Sequence, residues 1–150
     1  MKLTRHYLFA LGLLLLSCST EDSEVVPNDV PEQVKSTLTS NFSAAMDVEW
    51  EKTGGNYTAE FEVAGVDHDA LITPAGELLQ YKHTIPDTEL PDAVTAAILQ
   101  QHSDKHLDEA EKLYRGNEVF YQVEMENTGT DLYLVFSPDG QEQAEPAFWD

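Results

Sequence analysis

The chain has 150 residues, with 8 basic and 28 acidic side chains, a formal net charge of −20 at pH 7 and one cysteine. This length suffices for one domain or two very small ones. The negative charge excludes a protein that binds the phosphate backbone of nucleic acids. The single cysteine excludes an internal disulfide and a zinc site built from several cysteines.

The first 17 residues have the proportions of a bacterial signal peptide. Lys2 and Arg5 give a positive start, and an apolar run follows over residues 7–16. This run is about half the ~20 residues that a transmembrane helix needs. Cys18 follows the run after one serine, a pattern that resembles the lipobox of bacterial lipoproteins. We therefore expect residues 1–17 to be removed and Cys18 to carry the lipid that anchors the chain to a membrane.

The segment 18–27 is polar and acidic at its start and lacks apolar periodicity, which predicts a flexible tether. Ser19, directly after the cysteine, favours the outer over the inner membrane by analogy with lipoprotein sorting. The acidic tract 21–24 resembles those of some surface-exposed lipoproteins. The expected location is thus the bacterial cell envelope, lipid-anchored to the outer membrane, with the body either periplasmic or exposed at the surface.

The body of the chain, residues 28–150, contains an internal repeat. A shift of 60 residues aligns its first part with its second, and the shift becomes 64 after a short insertion around residues 113–117. Matching pairs include Pro31/Pro91, Val34/Val94, Ser43/Ser103, Tyr57/Tyr121, Asp67/Asp131 and Gly76/Gly140. We therefore expect a single domain made of repeats 28–85 and 86–150.

Each repeat begins with a helix and continues with strands. Apolar residues recur every fourth position near Pro31 and Pro91, which predicts an amphipathic helix in each repeat, with the proline at its first helical position. These residues are Val30, Val34, Leu38 and Phe42, then Leu90, Val94, Ile98 and, in the matching last position, His102. Apolar residues alternate with carboxylates in the following segments, as in half-buried antiparallel strands. A weaker strand is expected to close each repeat, near 78–83 and 143–149. The predicted fold is α+β, with two tandem helix-plus-antiparallel-strands repeats sharing one sheet and both helices on one face.

This order of features resembles the PepSY-like family, which is related in fold to the repeat of β-lactamase-inhibitor protein. The resemblance lies in the proline-initiated helix, the strand segments 47–52 and 57–61, and the strand that ends at Pro74-Ala75-Gly76. The same order recurs after Leu90-Pro91, so the resemblance covers about residues 28–145. It implies binding or inhibition through a sheet surface and supplies no catalytic residue.

Strand alternation assigns side chains to two faces of the sheet. Trp50, Tyr57, Phe61, Tyr121 and Phe136 fall on the apolar side and are expected in the core. The opposite register places four carboxylates and two apolar or aromatic residues on the face without helices: Glu60, Glu62, Glu124, Glu126, Tyr133 and Val135. We expect that face to be open and to bind a partner, with carboxylates steering it and Tyr133 supplying an apolar contact. Ordinary filling of an exposed strand is the alternative.

No motif for nucleophilic catalysis or phosphate binding is present. His102 and His106 have the i, i+4 spacing of a helical metal site, but a zinc protease has Glu where Ser103 stands. Packing is favoured, because the matching residues of the first repeat are Phe42 and Met46. His68 lies between two aspartates and is expected to be packed or at an edge. The chain is therefore expected to have no catalytic residue, no metal and no cofactor.

The sequence predicts a non-enzymatic envelope lipoprotein that binds an envelope or extracellular protein, with inhibition of that partner left open. The alternative is an accessory lipoprotein whose acidic groups bind a small ligand or a divalent cation, for example at 67–69 or 137–140. We expect a monomer that binds no nucleic acid and contacts the membrane through its N-terminal lipid anchor.

Overall fold

The computed structural model describes residues 23–126 and 129–150. Within them the chain forms two α-helices, α1 (Glu32–Asn41) and α2 (Asp92–Gln101), each preceded by a short 3₁₀ turn, Pro27–Asp29 and Asp87–Glu89. The described strands are β1 (Ser23–Glu24), β2 (Met46–Thr53), β3 (Asn56–Val63), β4 (Val66–Ile72), β5 (Leu78–Thr84), β6 (His106–Arg115), β7 (Glu118–Glu126) and β8 (Leu132–Phe136).

These eight strands form one antiparallel sheet in which each strand pairs with the next along the chain, from β1 to β8. The prediction of an α+β fold with a single sheet is confirmed. The weak strand predicted near 78–83 corresponds to β5, which joins the two halves of the sheet by pairing with β4 and β6.

Both helices begin directly after a proline. Pro31 and Pro91 have nearly the same backbone angles, φ −58° and ψ 142° against φ −57° and ψ 143°. They occupy the N-cap, one residue before the first helical position at which the sequence placed them. Carbonyl oxygens of both prolines accept bonds from the first helical turn, at Lys35 N and Thr95 N. A proline here loses nothing, because the N-terminal amides of a helix have no partner within the helix.

The helices cover two separate cores on the same face of the sheet. Val34 of α1 packs with Trp50, Phe61 and other residues of β2 to β4, and Val94 of α2 packs with residues of β6 to β8. Cross-strand partners share a face, and a row of such partners runs from one core to the other. That row is Ala59, Ala70, Tyr81, Tyr114 and Val119.

The aromatic residues predicted in the core lie there. Trp50, Phe61, Tyr121 and Phe136 are buried, and Tyr57 is partly buried against the first core. Carboxylates therefore alternate onto the opposite side, which we call the helix-free face.

Two predicted segments differ at the ends of the chain. Ser23 and Glu24 lie within the expected tether but pair with Lys52 and Glu51, so the ordered body begins no later than Ser23. The strand expected near 143–149 is wrong: after β8 the pairing reduces to one isolated bridge between Phe136 and Glu142. Pro146 has no N–H to donate to a ladder, which favours departure from the sheet edge.

Residues 1–22, which include Cys18 and the predicted signal peptide, lie outside the described residues. In the part that is described, no helix has both the length and the apolar character required to cross a bilayer.

Candidate functional site on the helix-free face

The five predicted site residues all lie on the helix-free face, but in two groups. Glu60 and Glu62 belong to β3, whereas Glu124 and Glu126 belong to β7 and Tyr133 to β8. Strands β3 and β7 are four strand spacings apart, which is about 19 Å in a sheet with ~4.8 Å between strands. The structure therefore brings Glu124 opposite Tyr133 and leaves Glu60 elsewhere on the face.

Glu124 and Tyr133 are directly linked. A hydrogen bond to the Glu124 carboxylate and the negative charge of that group raise the pKa of the Tyr133 hydroxyl. The ring of Tyr133 is 48% exposed and lies 4.9 Å from the ring of Phe148. Tyr133 is thus a half-covered aromatic side chain beside a carboxylate.

Glu60 borders a concave region of about 490 Å³, which we call the acidic cavity. Its lining extends across β2 to β6 and also includes Asp150. Besides Glu111, its carboxylates are Glu51, Glu60, Asp67, Asp69, Glu109 and Asp150. Alternation places such residues on one face, and the antiparallel register brings them side by side. Of the predicted residues, Glu62, Glu124, Glu126 and Tyr133 lie outside its lining.

Lys82 is the one basic side chain among the described residues that line the acidic cavity. Its Nζ lies 3.0 Å from Oε1 of Glu111 and 3.6 Å from Oδ2 of Asp69. Lys82 is only 6% exposed. One buried cation therefore faces seven carboxylates, and most of their negative charge remains without a basic partner inside the cavity.

The charge of the cavity shifts the proton affinities of its groups. Burial raises the pKa of Asp69 to about 6, although Lys82 opposes the shift, and the charges of Glu60 and Glu111 add to it. Burial also raises the pKa of Glu60, followed by the effect of the negative charges of Glu51 and Glu49. A cation that entered the cavity would relieve this repulsion.

The second half of the helix-free face is covered by the C-terminal segment. Val135 was predicted to stand exposed among carboxylates, but it is 2% exposed and packs with Leu113 and Phe120 under Phe148 and Trp149. The prediction failed because alternation assigns a face but does not show which distant segment covers it. The sequence did contain a signal for this cover, because three strand positions on the otherwise polar face are apolar: Leu113, Phe120 and Val135.

The histidines are not grouped as a metal site. His102 ends α2, with Nε2 at 3.9 Å from Oε2 of Glu142, while His106 begins β6 and is exposed. Among the described residues, no three His, Cys, Asp or Glu side chains are placed to hold a metal ion. His68 stacks between Phe61 and His83, at ring distances of 5.4 and 5.1 Å, on the face that carries the helices. It is packed, as predicted.

Sequence reasoning missed the polar residues that organise this face. Lys82, Gln122 and Glu111 are buried together, and nothing in the alternation distinguishes them from exposed strand residues. Their proximity results from the register of β5, β6 and β7, which pairs Thr84 with Glu111 and Glu111 with Gln122.

Comparison with known proteins gives the fold. No protein-family model and no curated protein matches the sequence. A solved structure from Bacteroides eggerthii, of a protein proposed to be periplasmic, matches with a TM-score of 0.71 and 19% identity, over 75% of this chain and 85% of that chain. A DUF2874 family protein from Bacteroides uniformis matches with a TM-score of 0.70 and 20% identity, over 75% and 85% of the two chains.

A third solved structure is described as a BLIP-like protein from Bacteroides fragilis. It matches with a TM-score of 0.65 and 22% identity, over 75% of this chain and 83% of that chain. At these identities the likeness establishes a shared fold, and none of the three is described as an enzyme.

Proposed function

We propose that this protein is a non-enzymatic lipoprotein of the bacterial envelope that binds a protein partner through its helix-free face. The observation that carries the proposal is the acidic cavity, in which seven carboxylates surround one buried lysine. A concave region with a strong excess of one charge raises the local concentration of oppositely charged groups and speeds their association. The cavity therefore favours a partner that presents a basic loop.

The two groups of site residues have different parts in this proposal. Glu51 and Glu60 in the cavity receive the basic side chains of the partner. Glu62, Glu124 and Glu126 border the interface, where charges affect the association rate more than the lifetime of the complex. Tyr133 supplies a half-exposed aromatic contact at the far end.

We further propose that the partner is an enzyme or other protein whose activity the binding blocks. This step rests on the shared fold with a solved protein described as BLIP-like. A location in the envelope is supported by the fold shared with a protein proposed to be periplasmic, and by the lipobox-like sequence before Cys18. Lipid attachment at Cys18, the outer membrane, the PepSY-like family and a monomeric state are parts of the same proposal.

We also infer that the two helix-plus-strands units are copies of one ancestral unit. A Cβ on Gly76 would lie 3.0 Å from the carbonyl oxygen of Gln33 in α1, and one on Gly140 would lie 2.3 Å from that of Ala93 in α2. Gln33 and Ala93 are 60 residues apart, and the glycines are 64 apart, which are the two shifts of the sequence repeat. The same close approach of a turn to a helix thus occurs at matching positions.

Binding of a small cationic ligand is the second candidate function. The observation in its favour is the volume of about 490 Å³, which lies within the range of about 300–1,000 Å³ typical of ligand pockets. A small amine would then interact with Glu60 and Asp69 directly.

Affinity capture from envelope extracts tests the proposed function. Protein in which Glu51→Gln and Glu60→Gln are combined should capture its partner about ten-fold less efficiently than wild type, because two steering charges are lost. The matched control is Glu32→Gln with Asp92→Asn, which removes two charges from the helices on the opposite side and should leave capture unchanged. Capture should also fall at about 1 M salt, where the Debye length is about 3 Å.

Equal capture by the cavity variant and wild type would exclude the acidic cavity as the interface. A further loss with Glu124→Gln and Tyr133→Ala would assign the interface to the other end of the face. Retention of small amines in place of any protein would favour the second candidate function.

A further inference from the structure

The C-terminal segment is held to the helix-free face through its backbone. The side-chain amide of Gln122 accepts a hydrogen bond from Trp149 N and donates one to Trp149 O, both at 2.9 Å. Nζ of Lys82 donates to the same carbonyl oxygen at 2.9 Å. Both backbone polar groups of Trp149 are therefore bound by side chains of β5 and β7.

Gln122 is completely buried. Its side-chain amide takes no part in the backbone hydrogen bonds between the strands. Its amide nitrogen also donates to Oε2 of Glu111 at 2.9 Å, so its orientation is fixed by a group of the sheet itself. A buried amide of fixed orientation loses little entropy when it binds a backbone. The Gln122 amide can therefore bind the backbone N–H and C=O of any extended segment that lies at this position.

The rings of the tail rest on an apolar surface. Phe148 and Trp149 pack against Leu113, Phe120 and Val135, and Nζ of Lys82 lies 5.4 Å from the centre of the Trp149 ring. Both rings remain partly exposed, in contrast to the buried side chains beneath them. A segment held by a few backbone bonds and two half-buried rings opens at a lower free-energy cost than the strands below it.

We propose that this region is a peptide-binding site that the chain's own residues 148–150 occupy, and that an extended segment with two adjacent aromatic residues takes their place. The site consists of Lys82, Leu113, Phe120, Gln122 and Val135, and we call it the tail site. Hydrogen bonds to the backbone provide affinity without regard to sequence, while the apolar surface selects aromatic side chains. The tail site adjoins the acidic cavity, because Lys82 belongs to both and Asp150 of the tail also lines the cavity, but the inference goes beyond the proposed function, since it concerns a different ligand chemistry.

The chain's own tail competes with any external peptide. A tethered segment acts at an effective concentration in the millimolar range, so the intact protein binds an added peptide weakly. Removal of the tail's two rings weakens the internal competitor and leaves the site residues unchanged. The same release uncovers the half of the helix-free face that the tail shields.

Fluorescence anisotropy with a labelled peptide of residues 143–150 tests the proposal. The protein is the mature chain, residues 18–150, with Cys18→Ala to keep it free of lipid. Addition of Phe148→Ala and Trp149→Ala should increase peptide affinity about ten-fold or more, because the internal competitor is weakened. A further Gln122→Leu should abolish the gain, and a peptide with alanine at both aromatic positions should not bind. Leu99→Ala, at a 64% exposed position on α2, is the control that should change nothing.

Unchanged peptide affinity in a folded Phe148→Ala, Trp149→Ala variant would overturn the proposal. Hydrogen exchange of the wild-type protein decides the matter if that variant does not fold. The Trp149 amide, which donates to Gln122, should exchange much faster than the amides of β6 and β7, because the tail opens locally. Exchange as slow as in those strands would mean that the tail opens only on global unfolding, and would equally overturn the proposal.

These experiments use no envelope extract and no basic partner. Their failure would remove the tail site and leave the acidic cavity as the proposed interface. Failure of the capture experiment would leave the tail site unaffected.

Discussion

Nζ of Lys82 on β5 lies 3.0 Å from Oε1 of Glu111 on β6, and the two residues are 6% and 8% exposed. Two opposite charges are thus removed from water together, with Gln122 and the Trp149 carbonyl satisfying part of their remaining hydrogen-bonding capacity. Such a pair contributes little net stability relative to apolar residues, but removal of one partner leaves the other as an uncompensated buried charge. The arrangement places a cluster of buried polar side chains, Lys82, Glu111 and Gln122, within the helix-free face.

Lys82→Met should lower the free energy of unfolding by about 3–5 kcal/mol, because it leaves the Glu111 carboxylate buried without a cation. Urea denaturation at pH 7 measures the loss. Lys35→Met is the matched control, since Lys35 pairs with the exposed Glu32 at the helix surface and its removal should cost less than about 0.5 kcal/mol. Equal losses for the two variants would show that the Lys82 pair is effectively solvated.

Asp69 should make stability depend on pH between about 4 and 6. Burial raises its pKa in the folded protein to about 6, whereas the unfolded chain releases this proton near pH 3.9. As pH rises, the unfolded state therefore loses the proton first. The contribution is fully present below about pH 4 and is lost as pH passes about 6.

The measurement is the difference in unfolding free energy between Asp69→Asn and wild type. Between pH 4 and pH 7 this difference should move in favour of the variant by about 2–3 kcal/mol, from 1.36 kcal/mol per pKa unit. Asp67→Asn, which removes an exposed carboxylate from the same strand, is the control for the loss of one negative charge. A pH-independent difference for Asp69→Asn would contradict the raised pKa.

Gly76 and Gly140 lie in turns that approach a helix, and they should differ in how well they tolerate a side chain. A Cβ at Gly140 would lie 2.3 Å from the Ala93 carbonyl oxygen, closer than at Gly76, where the nearest atom is Gln33 O at 3.0 Å. Gly54 also has a positive φ, 56° against 86° at Gly76 and 81° at Gly140, but no atom within 4 Å of the added Cβ. Alanine should therefore cost about 1–2 kcal/mol at Gly54, from backbone strain alone, more at Gly76, and most at Gly140. Thermal denaturation gives the order, and equal losses at all three would mean that turn and helix separate freely.

Cys18→Ala should release the protein from membranes, because several acyl chains at about 0.8 kcal/mol per buried CH₂ supply the proposed anchor. Fractionation after high-salt washing measures the release. Ser17→Ala keeps the cysteine and a small residue before it, and should remain membrane-bound. A Cys18→Ala protein that stays wholly in the membrane fraction would disprove the lipobox interpretation.

Local periodicity accounts for the parts of the fold that the sequence predicted well. Val34, Leu38, Val94 and Ile98 repeat at helical spacing and are all buried beneath their helices. Phe61 and Val123 alternate with carboxylates and lie in the two cores. In each case the neighbours along the chain determine the face, so no knowledge of distant residues is needed.

The side-chain contacts that could not be predicted depend on the register between strands that are far apart in sequence. Lys82 and Glu111 are 29 residues apart in sequence, and Gln122 and Trp149 are 27 apart, so their contacts follow only from the assembled sheet. The five predicted residues lie on the face that alternation assigned to them, but only Glu60 among them lines the acidic cavity. Asp69 lies in a strand whose alternation is clear, but its ion pair with Lys82 joins it to a residue of the next strand.

If Cys18 carries the proposed lipid, the position of strand β1 limits how far the sheet can lie from the membrane. Strand β1 begins at Ser23, five residues after Cys18. A fully stretched chain covers at most about 3.4 Å per residue, so an acylated Cys18 keeps this sheet edge within roughly 17 Å of the lipid headgroups. Because β1 pairs with β2, which carries Glu51 of the acidic cavity, the cavity of a lipid-anchored protein would open within a few nanometres of the bilayer. Partners held at the same membrane would then encounter it by diffusion in two dimensions.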